Sequence, residues 1–409
     1  MSEAVPPQPS APGAGRLMSL DVFRGVTIAS MMLVNNPGSW SHIYAPLEHA
    51  EWNGWTFTDT IFPFFLWIVG VAIPLSTSRR LEQGQSRGQL FLHAVRRTAI
   101  IFALGFFLNS FGFFIDGSLA RLGFGGWLHH YLTNVRLPGV LQRIAVCYLL
   151  ATLIFLRTGL RGQVTWTAGL LLGYWLLMAL APFPVNVHGQ TRYISGVFEK
   201  DDNFSACVDN LVLNGPVIGT HVWKTAKTWD PEGILSTLPA IATCLFGVLA
   251  GHLLRSRRRA EEKTAWLMVA GALLMGLGQI MNLWLPINKN LWTSSYSVFM
   301  AGLAMICLGV YYWFIDAKGC RTFVKPFAIY GMNAITVFVL AGLLGRILGA
   351  IQIAVSADKS LSLQGWLYEG FFTPLASPKN ASLLWAILYV LLLYLVAWVM
   401  YRKKWFVKF

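Results

Sequence analysis

The sequence predicts an all-α fold, a polytopic membrane helix bundle of about ten transmembrane helices with both termini cytoplasmic, and three observations point there. Of 409 residues, 55% are hydrophobic and 12% charged, about half the charged share of a soluble domain. Apolar stretches of membrane-spanning length recur from about residue 20 to residue 400, with no long polar interval outside 183–235. The net charge of +14 sits in short basic clusters between apolar segments, the pattern of cytoplasmic loops; a lipid bilayer, and no nucleic acid, is the implied partner.

A window of about 20 residues, the length that crosses ~30 Å of hydrocarbon, places spans at 19–36, 56–77, 95–114, 138–156, 164–182, 235–254, 264–285, 292–315, 325–346 and 382–401. Residues 1–15 are rich in Pro, Ala, Ser and Gly and lack the apolar core of a signal peptide; they read as a disordered cytoplasmic tail. Residues 16–409 then form one transmembrane domain with a large extracytoplasmic loop at about 183–235. One set of loops carries Arg79, Arg80, Arg87, Arg96 and Arg97; Arg157 and Arg161; Arg255, Arg257, Arg258, Arg259 and Lys263; Lys318, Arg321 and Lys325; and Arg402, Lys403, Lys404 and Lys408. Their excess of Lys and Arg assigns these loops to the cytoplasm. The alternate loops hold most of the acids, among them Asp116, Asp201, Asp202, Asp209, Asp358 and Glu369. The expected location is the plasma (inner) membrane. Five scattered cysteines form neither a disulfide framework nor a metal-ligand spacing, and no metal is expected.

Polar chemistry concentrates where the first span ends and the second begins. Between Asn35 and Asp59 the chain carries His49, the acids Glu48, Glu51 and Asp59, the amides Asn35, Asn36 and Asn53, and Trp40, Trp52 and Trp55. Histidine titrates near neutrality, so His49 can take a proton from an attacking group and return it. Glu48 and Glu51 are positioned in sequence to orient its ring, and Asn35 and Asn36, ending an apolar helix, to donate to a developing oxyanion. The tryptophans suit a sugar-stacking platform, although an interfacial belt explains them more simply. Ionisable groups inside spans are costly and mark function or pairing; Asp59 lies one turn into the second span and Arg143 one turn into the fourth, and mutual neutralisation is the plainest account of them. Asp21 and Arg24 read as an i,i+3 pair.

Three further clusters stand at span ends expected to face outward. Asp230-Pro231-Glu232-Gly233 opens the sixth span with Pro231 as at a first helical position, so that its acids complement the helix dipole. Asn288, Lys289 and Asn290 precede the eighth, and Asn333 in the ninth suits a helix–helix hydrogen bond.

The segments Ser19-Leu20-Asp21-Val22-Phe23-Arg24-Gly25, His49-Ala50-Glu51-Trp52-Asn53-Gly54, Pro138-Gly139-Val140-Leu141-Gln142-Arg143, Asp230-Pro231-Glu232-Gly233, Asn288-Lys289-Asn290-Leu291-Trp292 and Gly331-Met332-Asn333 resemble, in order, the heparan-α-glucosaminide N-acetyltransferase family. The resemblance implies a transmembrane acyltransferase that moves the acetyl group of cytosolic acetyl-CoA, a co-substrate, to the amine of a glucosamine-type glycan on the far side. It implies His49 as the active-site histidine, Asn35 as the asparagine preceding it, and a homodimer. The chain departs from the lysosomal enzyme in reading Asn36-Pro37-Gly38 where that enzyme has an aromatic followed by glycines. Direct attack, with His49 as general base and Asn35 on the oxyanion, and a two-step route through acetyl-His49 are both open. An O-acyltransferase of a cell-envelope glycan and an amino-sugar transporter are the rival readings. The lack of an internal repeat weighs against the transporter.

Overall fold

The computed structural model describes residues 17–187, 190–215, 218–356 and 359–407. The expected tail at 1–15, and Asp358 and Lys408 of the charge pattern, lie outside these residues. The helices in chain order are α1 (Met18–Asn35), α2 (Phe57–Glu82), α3 (Arg87–Ile115), α4 (Ser118–Asn134), α5 (Val140–Arg157), α6 (Leu160–Leu180), α7 (Phe204–Leu213), α8 (Thr237–Arg255), α9 (Ala260–Met281), α10 (Ser294–Tyr311), α11 (Val324–Met332), α12 (Ala334–Ala350), α13 (Leu363–Leu367) and α14 (Pro378–Arg402). Strands among the described residues form antiparallel hairpins alone: β1 (Phe183–Val187) with β2 (Gln190–Ile194), β3 (Asn214–Gly215) with β4 (Gly219–Thr220), and β5 (Gln352–Ser356) with β6 (Lys359–Ser362). The first two hairpins and α7 fill the interval between α6 and α8.

Every expected span is helical. Among the described residues, α2, α3, α5, α6, α8, α9, α10 with its continuation to Ala317, and α14 are each long and apolar enough to cross a membrane. The pair α11 and α12 makes a further span bent by 77°. The remaining one is α1, whose first turns carry the Asp21–Arg24 pair at 2.6 Å. This is a multi-pass membrane bundle.

Two departures from the sequence reading have local causes. Helix α3 starts at Arg87 rather than 95 because Ser86 caps it. The Ser86 hydroxyl accepts from the Gln89 N–H at 3.2 Å while the Gln89 side chain accepts from the Ser86 N–H at 2.9 Å, a reciprocal box that starts a helix whatever follows it. Helix α4 was not legible as an element, since its glycines break the apolar run and Gly123 sits at φ 65°, kinking it midway.

Bundle packing depends on small residues, as it does where lipid removes the hydrophobic drive between helices. Helix α2, with Leu66, Trp67 and Val71 fully buried, is the central element. Helix α8 lies so close to it that a Cβ on Gly70 would come within 1.9 Å of the Cys244 carbonyl oxygen, and one on Gly247 within 2.1 Å of that of Trp67. Helix α11 lies equally close to α1, since a Cβ on Gly331 would meet the Asp21 carbonyl oxygen at 2.2 Å. That contact places Asn333 at the end of the bundle that holds Met18, away from His49, which corrects its expected place in the outward half. Asn333 sits in the bend, and its amide donates to the Trp405 carbonyl at 3.1 Å while its oxygen accepts from the Val407 N–H at 3.2 Å. It pins the C-terminal segment rather than joining two spans.

Candidate active site

The site at the other end is assembled by the first turn of α2. Thr56-Phe57-Thr58-Asp59 forms a capping box: the Asp59 carboxylate accepts from the Thr56 N–H at 3.0 Å and from its hydroxyl at 3.2 Å. The same oxygen accepts from the Ala50 N–H at 3.0 Å. The other carboxylate oxygen lies 2.5 Å from His49 Nδ1. Asp59 is 2% exposed, whereas the His49 side chain is 47% exposed. A carboxylate accepts only, so Nδ1 carries the proton and donates it to Asp59, and Nε2 makes no hydrogen bond among the described residues. The arrangement is an imidazole oriented through Nδ1 by a buried carboxylate.

This geometry replaces two expectations. Glu48 and Glu51 are exposed and neither touches the His49 ring; the orienting acid is Asp59, brought back by the turn at 53–56. Asp59 and Arg143 do not neutralise each other. Arg143, 2% exposed, donates to the Gly233 carbonyl at 2.9 Å and to the Ser236 hydroxyl at 2.5 Å, and its guanidinium lies 5.2 Å from the Trp292 ring centre. Its Nε and Nη1 are buried without hydrogen-bond partners among the described residues. Trp292 packs edge-on against Phe62 and Tyr296, and the Tyr296 hydroxyl donates to the Asp59 carbonyl at 2.6 Å. An aromatic layer therefore separates the two buried charges and supports the backbone beneath His49.

The loop bearing His49 is clamped by the segment before α10. Gly54, at φ 94°, donates to the Ile287 carbonyl at 2.7 Å. Asn288, fully buried, donates to the Asn53 side chain at 3.2 Å and accepts from the Leu291 N–H at 2.9 Å. Trp52 donates to the Phe198 carbonyl at 2.8 Å and packs edge-on against Trp229. Trp40 and Trp55 remain exposed, as an interfacial belt requires. Asn290 is half-buried.

Asp230 and Glu232 are not helix-dipole partners, because α8 begins only at Thr237. They pair with Arg136, a residue without a marked signal in the sequence and 94 positions from Asp230. Arg136 grips Asp230 in a fork at 2.7 and 2.5 Å and also donates to Glu232. Burial pushes Glu232 up, but the Arg136 and Lys289 charges outweigh it and hold its carboxyl below the ordinary range. Asp209, on α7, takes the Ile234 N–H at 2.8 Å. Burial raises its carboxyl to about 7 against those backbone donors. Gly233 is required here, since a Cβ would stand 1.9 Å from an Asp209 oxygen.

Of the two amides ending α1, Asn35 is exposed with no side-chain hydrogen bond among the described residues, while Asn36 folds back to the Met32 carbonyl at 2.9 Å. Asn35 is thus the amide left open. At the opposite end, Arg255, Arg258 and Arg259 pair with Glu82, Glu262 and Glu261. Arg80, Arg96 and Arg97 gather instead around His93, and none of the three has a carboxylate partner among the described residues. No group of three or more His, Cys, Asp or Glu side chains among the described residues has a metal-holding arrangement.

No family model matches the chain. It is 31% identical over 365 residues to the heparan-alpha-glucosaminide N-acetyltransferase of Homo sapiens, covering 79% of this chain and 52% of that protein. It is 28% identical over 377 residues to that of Mus musculus, covering 81% of this chain and 54% of that protein. The chain spans about half the length of these curated relatives. An alignment to the human protein that takes in 79% of this chain at 31% identity, together with a bundle of apolar spans, supports the heparan-α-glucosaminide N-acetyltransferase family for this chain.

Proposed function

We propose that the protein is a transmembrane N-acetyltransferase that moves the acetyl group of cytosolic acetyl-CoA to the amine of a glucosamine-type sugar on the extracytoplasmic side, with His49 as general base. The observation that carries this reading is the half-exposed His49 ring, fixed through Nδ1 by buried Asp59 so that Nε2 stays open. The relatives named as N-acetyltransferases support the group transferred. A thioester is already activated, so the protein has to align the amine, remove its proton and stabilise the oxyanion. The amine nitrogen attacks the thioester carbon as Nε2 accepts its proton. Asn35 donates to the oxyanion, and the tetrahedral centre collapses with loss of the CoA sulfur, which takes the proton from His49. The CoA nucleotide, too polar for hydrocarbon, stays at the basic end, where Arg80, Arg96 and Arg97 offer charge with no carboxylate partner among the described residues. The bilayer assigned is the plasma membrane, and a second copy of the chain is the proposed partner.

The test uses purified protein in lipid nanodiscs with acetyl-CoA and either glucosamine or N-acetylglucosamine. The amine sugar should be acetylated and the blocked sugar left untouched. His49→Ala should lower turnover by about 10²–10⁴, the range for loss of a general base, with its thermal transition preserved. Near-normal turnover in that variant removes His49 from the reaction, and acetylation of the blocked sugar makes the enzyme an O-acyltransferase.

A further inference from the structure

Helix α12 carries an arginine that the site described above does not use. Arg346 lies one turn before the end of a membrane-spanning helix, where a charged side chain is costly and marks function. It has no carboxylate partner among the described residues; its Nη1 donates to the Gly342 carbonyl of its own helix at 2.9 Å. Arginines that merely relieve their own burial reach outward to the interface. Arg346 does the reverse, folding a full turn back toward the middle of the bundle. Gly342 makes room for it: a Cβ there would stand 3.2 Å from Nη1 and 3.3 Å from the Leu108 side chain.

The arginine lies on a lined face. Ile335, Phe338, Gly342 and Arg346 fall on one side of α12 at helical spacing, and Ile335 and Phe338 wall a narrow apolar cleft with Ile28 and Met31 of α1. Asn35 continues the Ile28–Met31 face of α1 one turn beyond Met31. The two helix ends meet there, since a Cβ on Gly345 would stand 3.5 Å from the Asn36 side-chain oxygen. The cleft walls are apolar, so the Arg346 guanidinium is the charge at the end of the α12 face, beside the turn that presents Asn35.

We propose that Arg346 is a specificity-determining residue: its guanidinium receives an oxyanion beside the end of α1 that carries Asn35, a phosphate, sulfate or carboxylate borne either by the acceptor sugar or by a lipid headgroup. A guanidinium offers a planar pair of donors to such a group, and burial strengthens the contact. The kinetic arms of the test rest on the acetyltransferase reading, and the binding arm does not.

The experiment uses the full chain in nanodiscs. In phosphatidylcholine, kcat/KM is measured for glucosamine 6-phosphate and for glucosamine; with glucosamine alone, it is compared between phosphatidylcholine and phosphatidylglycerol. In parallel, the thermal shift given by glucosamine 6-phosphate is measured without acetyl-CoA. If the acceptor bears the oxyanion, glucosamine 6-phosphate is preferred about tenfold or more, Arg346→Gln brings the preference to about one, and Arg346→Lys keeps part of it. If the lipid bears it, phosphatidylglycerol raises the rate with glucosamine and Arg346→Gln abolishes that rise. Should no amine be acetylated, the function proposed above fails, and an Arg346-dependent thermal shift still supports the anion site. Preferences and shifts that are absent from the parent, or identical in the parent and Arg346→Gln, overturn it.

Discussion

Replacing Asp59 by asparagine preserves the shape of the turn and removes the charge that fixes the ring. An amide can meet Nδ1 with its NH₂ group, which stabilises the tautomer with the proton on Nε2 and leaves that nitrogen unable to accept one. Asp59→Asn should therefore lower kcat by about 10²–10⁴, approaching the handicap of a wrong-tautomer triad, with a much smaller change in the KM for acceptor. Steady-state kinetics on folded variant protein checks this; a rise in KM at constant kcat would make the carboxylate a substrate ligand instead. Both partners were legible in the sequence, His49 as a histidine among acids and amides and Asp59 as an acid inside a span. Their pairing was not, because Glu48 and Glu51 stand nearer along the chain. The capping box at Thr56 decides the matter by turning Asp59 back over the loop. Asn288 shows the opposite case, a residue marked by its motif whose side chain holds the loop in place.

Between α6 and α8, buried charges tie distant segments into one platform under the His49 loop. Asp209 is the titrating member. Unfolded, its carboxyl ionises near 3.8, and folded it ionises near 7. Between those values the folded chain holds a proton that the unfolded chain has lost, so the Asp209 contribution to stability is greatest in acid, falls as pH rises from about 4 to about 7, and flattens above. At about 1.4 kcal/mol per unit the contribution is on the order of a few kcal/mol. Thermal unfolding followed across that range should show the slope, and Asp209→Asn should flatten it; an equal slope in the variant would place the titration elsewhere. Arg136 could not be found from the sequence because its fork closes across 94 positions, and neither hydropathy nor local spacing reports such a distance. The acids it holds were visible and were assigned to a helix start that lies further along, at Thr237.

Across the whole molecule the spans were the most legible feature, because a run of about 20 apolar residues has few alternatives to a spanning helix. Helix α4 escaped notice since Gly123 interrupts it, and the bend at Asn333 was hidden inside a continuous apolar stretch. The bundle sets Arg80, Arg96 and Arg97 at one end and the Asp59-held His49 at the other, and the proposed reaction, with donor and acceptor on opposite faces of the bilayer, rests on that separation. Its central claim is tested most directly in proteoliposomes of known orientation, with acetyl-CoA and glucosamine each confined to one face. The account predicts acetylated sugar only when acetyl-CoA faces the Arg80, Arg96 and Arg97 end and the sugar faces His49. Product formed with donor and acceptor both on the His49 face would contradict it.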